Sequence, residues 1–332
     1  MAIPPSPLLV IRKCGHERIV ANNVHTVSPF RLGVKLPPTD TTGPEWEELL
    51  TPFRDPLQYL ADTGVNYVEY AVGSLENQEE ADTVLRAASA CARLGMSVAI
   101  HPYLGSEHNP AHYSDNSPCH DAMRRTLQLA AHASNLTGIQ TVVVFHPAAY
   151  PFEEAEVDPR ELRQRLLERS QAFAAELERL AKETGTGVMP VLEHQVPPNP
   201  EERLIRVADT YEGLLHVVRG TNIPLCWDTG HYLLSVRRHG QSLQPPQEFV
   251  DRVMHVHLHA VIEGCDHHPV VTDSEVLAGY LRSLWRRGFR NGITLEYSIQ
   301  GLKKAGGLRK AVEKSLGLLR NWSEDWQSEE PH

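Results

Sequence analysis

Metal-ligating side chains stand at the ends of several apolar runs in this chain. The stretch IPLCWDTGH, residues 223–231, has the composition of a buried strand and leads into Asp228 and His231. A buried carboxylate is costly unless it is hydrogen-bonded or paired with a cation. Six apolar runs end on such side chains, namely His101, His146, Glu193, Asp228, His257 and Glu296. Asp266 and His268 follow soon after the run that contains His257.

Each of these side chains by itself has an ordinary structural explanation, as a hydrogen-bonded histidine or an ion-paired carboxylate. His255, His257 and His259 share one strand face, so one of them could bind a metal while the others hydrogen-bond around it. As a set, converging carboxylates and imidazoles would repel one another or bury unpaired charge without a divalent cation. The mixed oxygen and nitrogen donors suit Mn, Co, Zn, Mg or Fe, so we predict a metal site.

The elements that must position these residues are strands and helices in alternation. Amphipathic segments such as Glu79 to Leu94 separate eight apolar, β-branched runs. The runs predicted as strands are Arg31–Pro37, Val65–Ala71, Met96–His101, Ile139–His146, Gly187–Glu193, Ile223–Asp228, Val253–His259 and Gly292–Tyr297. Eight such units most simply close into a single-domain α/β fold, the (β/α)8 TIM barrel, with a doubly wound open sheet as the alternative.

The barrel prediction also gives domain bounds and a place for the site. We assign residues 31–320 to the barrel, residues 1–30 to an N-terminal extension and residues 321–332 to an acidic C-terminal tail. The carboxyl ends of all strands in a TIM barrel meet at one mouth. We therefore expect the candidate ligands to lie close together there.

The composition restricts the classes of function. The 332 residues carry a formal net charge of −10 and no run of Lys or Arg beyond pairs, which disfavours nucleic acid as a partner. Five cysteines without a C-x-x-C pair argue against a disulfide framework and a structural zinc cluster. No apolar run approaches the ~20 residues that cross a bilayer, and the N-terminus lacks a signal-peptide pattern. We expect a cytoplasmic globular protein, with assembly into a homo-oligomer left open.

Four motifs on the last four predicted strands resemble the xylose isomerase-like TIM-barrel superfamily. They read VLEHQ, CWDTGH, HVHLHA and ITLEYS, and the resemblance extends from about Leu32 to Leu319. The superfamily contains sugar isomerases and epimerases, inosose dehydratases and a class of AP endonucleases. By resemblance to the epimerases, one divalent ion (Mn, Co, Mg or Zn) would be held by Glu193, Asp228, His257 and Glu296.

The same resemblance implies roles in catalysis and substrate binding. Glu193 and Glu296 would be the acid/base pair that moves a proton next to the substrate carbonyl, and metal charge would stabilise the developing enediolate. The side chains expected to contact substrate are His231, His101, His259 and Trp227. The resemblance thus implies a metal-dependent isomerase or epimerase whose partner is a small sugar or related polyhydroxy carbonyl compound.

A trinuclear-zinc phosphoesterase of the AP endonuclease type is the main rival. That class holds three zinc ions with nine ligands, so the additional ligands here would be His101, His146, His231, Asp266 and His268. The longer signatures of the DNA-repair members are missing, because this chain reads HPYLGSEHNPAHY and DHHP at the corresponding places. Ala260 also replaces an acid that family members usually carry. A metal-dependent dehydratase of the inosose dehydratase type would begin with the same proton abstraction, and the sequence leaves that alternative open.

Overall fold

The computed structural model of the protein describes residues 30–37, 44–151 and 158–328. Strands and helices alternate along these residues. The strands are β1 (Arg31–Leu36), β2 (Tyr67–Val72), β3 (Ser97–Pro102), β4 (Thr141–Phe145), β5 (Ala149–Pro151), β6 (Val188–Glu193), β7 (Leu204–Arg206), β8 (Leu225–Asp228), β9 (Val253–Leu258), β10 (Ala260–Ile262), β11 (Cys265–His268) and β12 (Gly292–Leu295). The helices are α1 (Pro44–Leu50), α2 (Pro56–Asp62), α3 (Gln78–Arg93), α4 (Pro118–Thr137), α5 (Pro159–Thr184), α6 (Tyr211–Val217), α7 (Thr229–His239), α8 (Gln247–Asp251), α9 (Glu275–Trp285), α10 (Ile299–Ala305) and α11 (Leu308–Ser328).

Eight parallel strands close into a barrel in the order β1, β12, β9, β8, β6, β4, β3, β2. Closure occurs because β1 pairs with both β2 and β12, for example through Gly33 opposite Tyr67 and Arg31 opposite Gly292. All eight predicted strands are present, and the TIM-barrel prediction is confirmed. Gly33 permits the closure locally, since a Cβ at this position would lie 2.2 Å from the Tyr67 ring.

The two faces of the barrel strands have different neighbours. Inside the barrel, Val144, Val191 and Cys226 form a small apolar cluster, whereas the outer faces pack against the helices in the main core. The strands are buried on both faces, which explains their nearly continuous apolar, β-branched sequence. Side chains alternate along a strand, so those in register with Cys226 point into the barrel.

Two small antiparallel sheets lie outside the barrel. β5 pairs with β7 and β10 pairs with β11, and both pairs are built from loops that follow the carboxyl ends of barrel strands. Catalytic loops of TIM barrels occupy this end of the fold. The two pairs therefore give ordered backbone to the loops around the mouth.

The chain end differs from the expected tail. α11 runs without a break to Ser328, so the expected boundary after residue 320 lies inside a helix. Trp322 and Trp326 are buried, and Trp326 packs edge-on against Phe30 at a ring distance of 6.2 Å. Residues 321–328 thus belong to the helical layer, because their acidic residues occupy only the exposed face of an amphipathic helix. The N-terminal extension, apart from Phe30, and residues 329–332 lie outside the described residues.

Two other expectations concern membranes and thiols. Across the described part of the chain, every helix is too short or too polar to traverse a bilayer. Cys91, Cys119 and Cys226 are buried free thiols, and Cys265 is an exposed one. Cys14 lies outside the described residues.

Candidate metal centre

Four strand ends bring ligand atoms together at the barrel mouth. Glu193 and Asp228 are the last residues of β6 and β8, His257 is in β9, and Glu296 directly follows β12. One ligand atom from each lies within 4.8 Å of one from every other member, and all four side chains are buried. The four predicted metal ligands therefore form one cluster.

Each carboxylate of this cluster has one oxygen held by the protein. Glu193 Oε2 lies 3.0 Å from His146 Nε2 and 3.2 Å from His101 Nε2. Asp228 Oδ1 accepts the backbone N–H of His231 at 2.7 Å, because Asp228 is the N-cap of α7. These contacts leave Glu193 Oε1 directed toward the centre, whereas Asp228 Oδ2 also lies 3.1 Å from His259 Nε2.

Three of the atoms that face the centre make no well-aligned hydrogen bond. Glu193 Oε1, His257 Nδ1 and Glu296 Oε2 are buried and have no hydrogen-bond partner among the described residues. His257 Nδ1 lies 2.7 Å from Glu296 Oε2 and 3.4 Å from Glu193 Oε1. Buried polar atoms are normally satisfied, and carboxylates this close repel one another. This donor set fits a divalent cation of the Mn, Co, Mg or Zn type.

Glu69, in the middle of β2, orients the predicted ligand His257. Its buried carboxylate lies 3.1 Å from His257 Nε2, so the opposite ring nitrogen faces the cluster. Burial raises the pKa of Glu69, but His257 and close contacts with the His101 and His255 rings hold it well below its usual range. A carboxylate behind a ligating histidine commonly sets its tautomer and orientation. Sequence reasoning missed Glu69, although a glutamate within the apolar strand YVEYAV was a signal.

Lys35, on β1, also reaches the cluster and was missed. Its ammonium lies 2.5 Å from Glu296 Oε1, 2.5 Å from the Tyr103 hydroxyl and 2.9 Å from His101 Nδ1. Burial lowers the pKa of Lys35, but Glu296, Tyr103, Glu69 and Glu193 raise it well above its usual range. Lys35 therefore adds a fixed positive charge beside the predicted metal ligands.

His101 and His146 form a second group with Glu193. The Nε2 atoms of the two histidines are 3.1 Å apart and both approach Glu193 Oε2. His101 is buried beneath the Tyr103 ring, at a ring distance of 4.7 Å, whereas His146 is half-buried beside the cavity. The structure thus brings both residues to the centre, with His146 the more accessible of the two.

His231 presents a lone pair to the cavity. Its Nδ1–H donates to the His194 carbonyl at 2.9 Å, since a carbonyl only accepts. Its Nε2, which has no hydrogen-bond partner among the described residues, lies 3.7 Å from Asp266 Oδ2. His231 can therefore accept a substrate hydroxyl or ligate an ion, as the sequence suggested.

His259 does not face the cavity, contrary to the expected substrate contact. It is fully buried, its Nδ1 accepts the backbone N–H of His267 at 2.8 Å, and its Nε2 lies 2.9 Å from Asp228 Oδ1. Because Nδ1 is the acceptor, Nε2 carries the proton and donates it to Asp228. Both ring nitrogens are occupied, so His259 orients the predicted ligand Asp228.

Gly230 makes room for the His259 ring. A Cβ at Gly230 would lie 2.0 Å from His259 Cε1, and the ring is held on both sides by Asp228 and His267. We expect Gly230→Ala to lower metal affinity about 10- to 100-fold, as for other changes around metal ligands. Isothermal titration with Mn²⁺ measures this effect. Gly279→Ala, at a helical position with open space, is the matched control and should leave affinity unchanged; equal affinities in both variants would contradict the orienting role.

The loop after β9 places His267, not His268, at the centre. His267 Nδ1 lies 3.0 Å from Asp266 and its Nε2 lies 3.3 Å from Glu296 Oε1, whereas His268 is in none of the groups that could hold an ion. The left-handed backbone of His267, with φ of 56°, breaks the alternation of side chains in β11. Burial lowers the pKa of His267, but Glu296 and Asp266 raise it to about 11. Asp266 contacts His267 and lies 3.7 Å from His231 Nε2, but like His268 it is in none of those groups, so both stay predictions as additional metal ligands.

Trp227 lies away from the mouth, and its prediction as a substrate contact was wrong. It is fully buried on the outer face of β8, with its ring 4.7 Å from Tyr280, 5.6 Å from Tyr232 and 5.7 Å from Phe249. The reason is strand alternation: Asp228 points into the barrel, so its neighbour points out.

A cavity of about 320 Å³ opens onto the cluster. Glu193, His231, His267 and Glu296 contribute to its floor and walls, together with the half-exposed Tyr103. This volume is at the lower end of the range for small-molecule sites. The site therefore combines a carboxylate and imidazole cluster with space for a small ligand.

Known structures share this fold. An L-ribulose 3-epimerase matches 90% of this chain and 96% of its own at 16% identity, with a TM-score of 0.60. The 3-keto-D-glucoside 4-epimerase of E. coli matches 88% and 99% at 14% identity and a TM-score of 0.59. A D-psicose 3-epimerase of Clostridium cellulolyticum H10, solved with D-tagatose, matches 89% and 99% at 12% identity and a TM-score of 0.57. At these identities the likeness shows the fold alone.

Family membership comes from the sequence match. No curated protein matches the chain significantly. The family model described as xylose isomerase-like TIM barrel matches residues 57–322, which is most of the chain and includes all four clustered ligands. The chain belongs to the xylose isomerase-like TIM barrel family.

Proposed function

We propose that the protein is a divalent-metal-dependent isomerase or epimerase acting on a small sugar or related polyhydroxy carbonyl compound. The observation that carries the proposal is the convergence of four side chains, three of whose buried ligand atoms make no well-aligned hydrogen bond among the described residues. The four side chains are Glu193, Asp228, His257 and Glu296. The fold shared with three sugar epimerases supports the choice of substrate class.

The four clustered side chains would hold one Mn, Co, Mg or Zn ion. When bound, the ion polarises the substrate carbonyl and hydroxyl oxygens and lowers the cost of an enediolate. The protein supplies the orientation: Glu69 fixes His257, His259 fixes Asp228, and Lys35 holds one oxygen of Glu296.

Glu193 and Glu296 would move the proton. Both line the cavity and come from strands on different sides of the mouth. One carboxylate takes the proton from the carbon next to the carbonyl, and the other returns a proton from the opposite face. His231 Nε2, unpartnered among the described residues, accepts a substrate hydroxyl and fixes the orientation of the sugar.

A phosphoesterase with three zinc ions is the second candidate, and one observation favours it. His101, His146 and Glu193 form a further group that could hold an ion next to the first. The third ion of that class would need His268, which lies outside every such group in the described chain. A dehydratase would share the proton abstraction and differ in releasing water.

Isotope exchange tests the proposed reaction. We expect protein stripped by a chelator and resupplied with Mn²⁺ to incorporate solvent deuterium next to the carbonyl of a ketose, and the stripped protein to be at least ~10²-fold slower. L-Ribulose, D-psicose, D-tagatose and D-fructose in D2O form the panel, read by NMR, which also detects epimerised and dehydrated products.

Heat-denatured protein with the same Mn²⁺ is the control for exchange by free metal. Incision of an abasic DNA duplex, without exchange on any ketose, would contradict the proposal and favour the phosphoesterase.

A further inference from the structure

We propose that Lys35 limits the centre to a single metal ion by keeping the group formed by His101, His146 and Glu193 free of metal. This inference rests on the metal centre of the proposed function and concerns how many ions that centre holds. It starts from a conflict in the geometry, since the second group has the spacing of metal ligands but a lysine stands beside it.

The second group is suited to an ion as far as distances go. Its three facing atoms, His101 Nε2, His146 Nε2 and Glu193 Oε2, are 3.0 to 3.2 Å apart. Ligands held at ~2.0 Å from a tetrahedral ion lie about this far from one another. Distance alone therefore does not decide whether the group binds a metal.

The hydrogen bonds of Lys35 oppose binding at His101. An ammonium only donates, so its contact with His101 Nδ1 at 2.9 Å, which is shorter than the 3.1 Å contact of Glu69 Oε1 with the same nitrogen, favours Nδ1 as an acceptor. The proton of the neutral ring then sits on Nε2, where it donates to Glu193 Oε2 at 3.2 Å. A protonated ring nitrogen has no lone pair for a metal.

Glu69 can accept a hydrogen bond from the opposite tautomer of His101, in which Nδ1 carries the proton. Its Oε1 is 3.1 Å from the same His101 Nδ1, matching the 3.1 Å contact by which Glu69 holds His257. Without Lys35, His101 can donate from Nδ1 to Glu69, and its Nε2 lone pair then faces His146 and Glu193. Lys35 thus decides whether His101 Nε2 donates a hydrogen bond to Glu193 or has a lone pair that can bind a metal ion.

The charges of the buried side chains at the centre also favour a single metal ion. The buried carboxylates of Glu69, Glu193, Asp228 and Glu296 are nearly balanced by Lys35 and one divalent ion, while Asp266 pairs with His267. A second divalent ion beside the ammonium would reverse the sign of the centre and repel Lys35 at short range. Removing the ammonium removes that repulsion.

The test counts ions in protein purified without chelators. We expect about one ion per chain in the natural protein and about two in Lys35→Met, measured by elemental mass spectrometry and by titration of stripped protein with Mn²⁺. Electron paramagnetic resonance distinguishes the two states, since two neighbouring Mn²⁺ ions are magnetically coupled. Adding His146→Ala to Lys35→Met should return the count to one, because His146 belongs only to the second group.

The alternative results separate this inference from the proposed function. A folded Lys35→Met protein with one ion overturns the inference and leaves the single-metal enzyme in place. Two or more ions in the natural protein also overturn it, and no bound ion overturns both proposals. Lys35→Leu, which also removes both the charge and the donor, replaces Lys35→Met if circular dichroism shows that the latter does not fold.

Discussion

Glu193→Gln and Glu296→Gln are each expected to abolish turnover while leaving the barrel folded. Each change removes the negative charge of a predicted metal ligand and the group that would move the substrate proton. General acid–base catalysis alone contributes about 10²- to 10⁴-fold, so we expect kcat/KM to fall by at least ~10³-fold. The fold should persist because glutamine preserves the shape of the side chain.

The measurements are ketose exchange rates, bound metal and far-UV circular dichroism of each variant. Glu161→Gln is the matched control, because Glu161 is largely exposed on α5, where it makes a loose 3.9 Å contact to Arg165, and such surface changes are nearly neutral. Loss of folding at Glu193 or Glu296, in place of loss of turnover, would assign these carboxylates a structural role.

Trp227→Ala is expected to lower the free energy of unfolding by ~3–5 kcal/mol, the usual cost of removing a buried tryptophan. The indole fills the space between Tyr232, Phe249 and Tyr280 on the outer side of β8. Its Nε1 has no hydrogen-bond partner among the described residues, so packing accounts for the loss. Urea unfolding of the metal-saturated protein measures it.

Trp227→Phe serves as the graded comparison, since it keeps an aromatic ring and removes no observed hydrogen bond. We expect it to lose less stability than Trp227→Ala, with KM unchanged in both variants. An increase in KM without loss of stability would indicate that Trp227 contacts the substrate and would contradict its position on the outer face.

The sequence alone predicted the barrel and the composition of its centre. Alternating apolar runs and amphipathic segments are local patterns, and a parallel barrel brings every strand's carboxyl end to one mouth. The strand-end side chains could therefore be placed at one mouth before any contact between them was known, and the resemblance to the superfamily selected four of them as metal ligands, namely Glu193, Asp228, His257 and Glu296. Strand alternation also places the Trp227 side chain on the outer face of the barrel, because this residue directly precedes the inward-pointing Asp228.

Only the tertiary structure decided which groups support those ligands. Lys35 meets Glu296 across 261 residues of sequence, and Glu69 meets His255 across 186, so no local pattern connects them. The choice of His267 over His268 depends on one left-handed residue in a loop. Spacing along the chain determines on which face of a strand a side chain lies. Closure of the barrel, hydrogen-bond donors and backbone angles determine what that side chain meets, and these exist only once distant segments are packed.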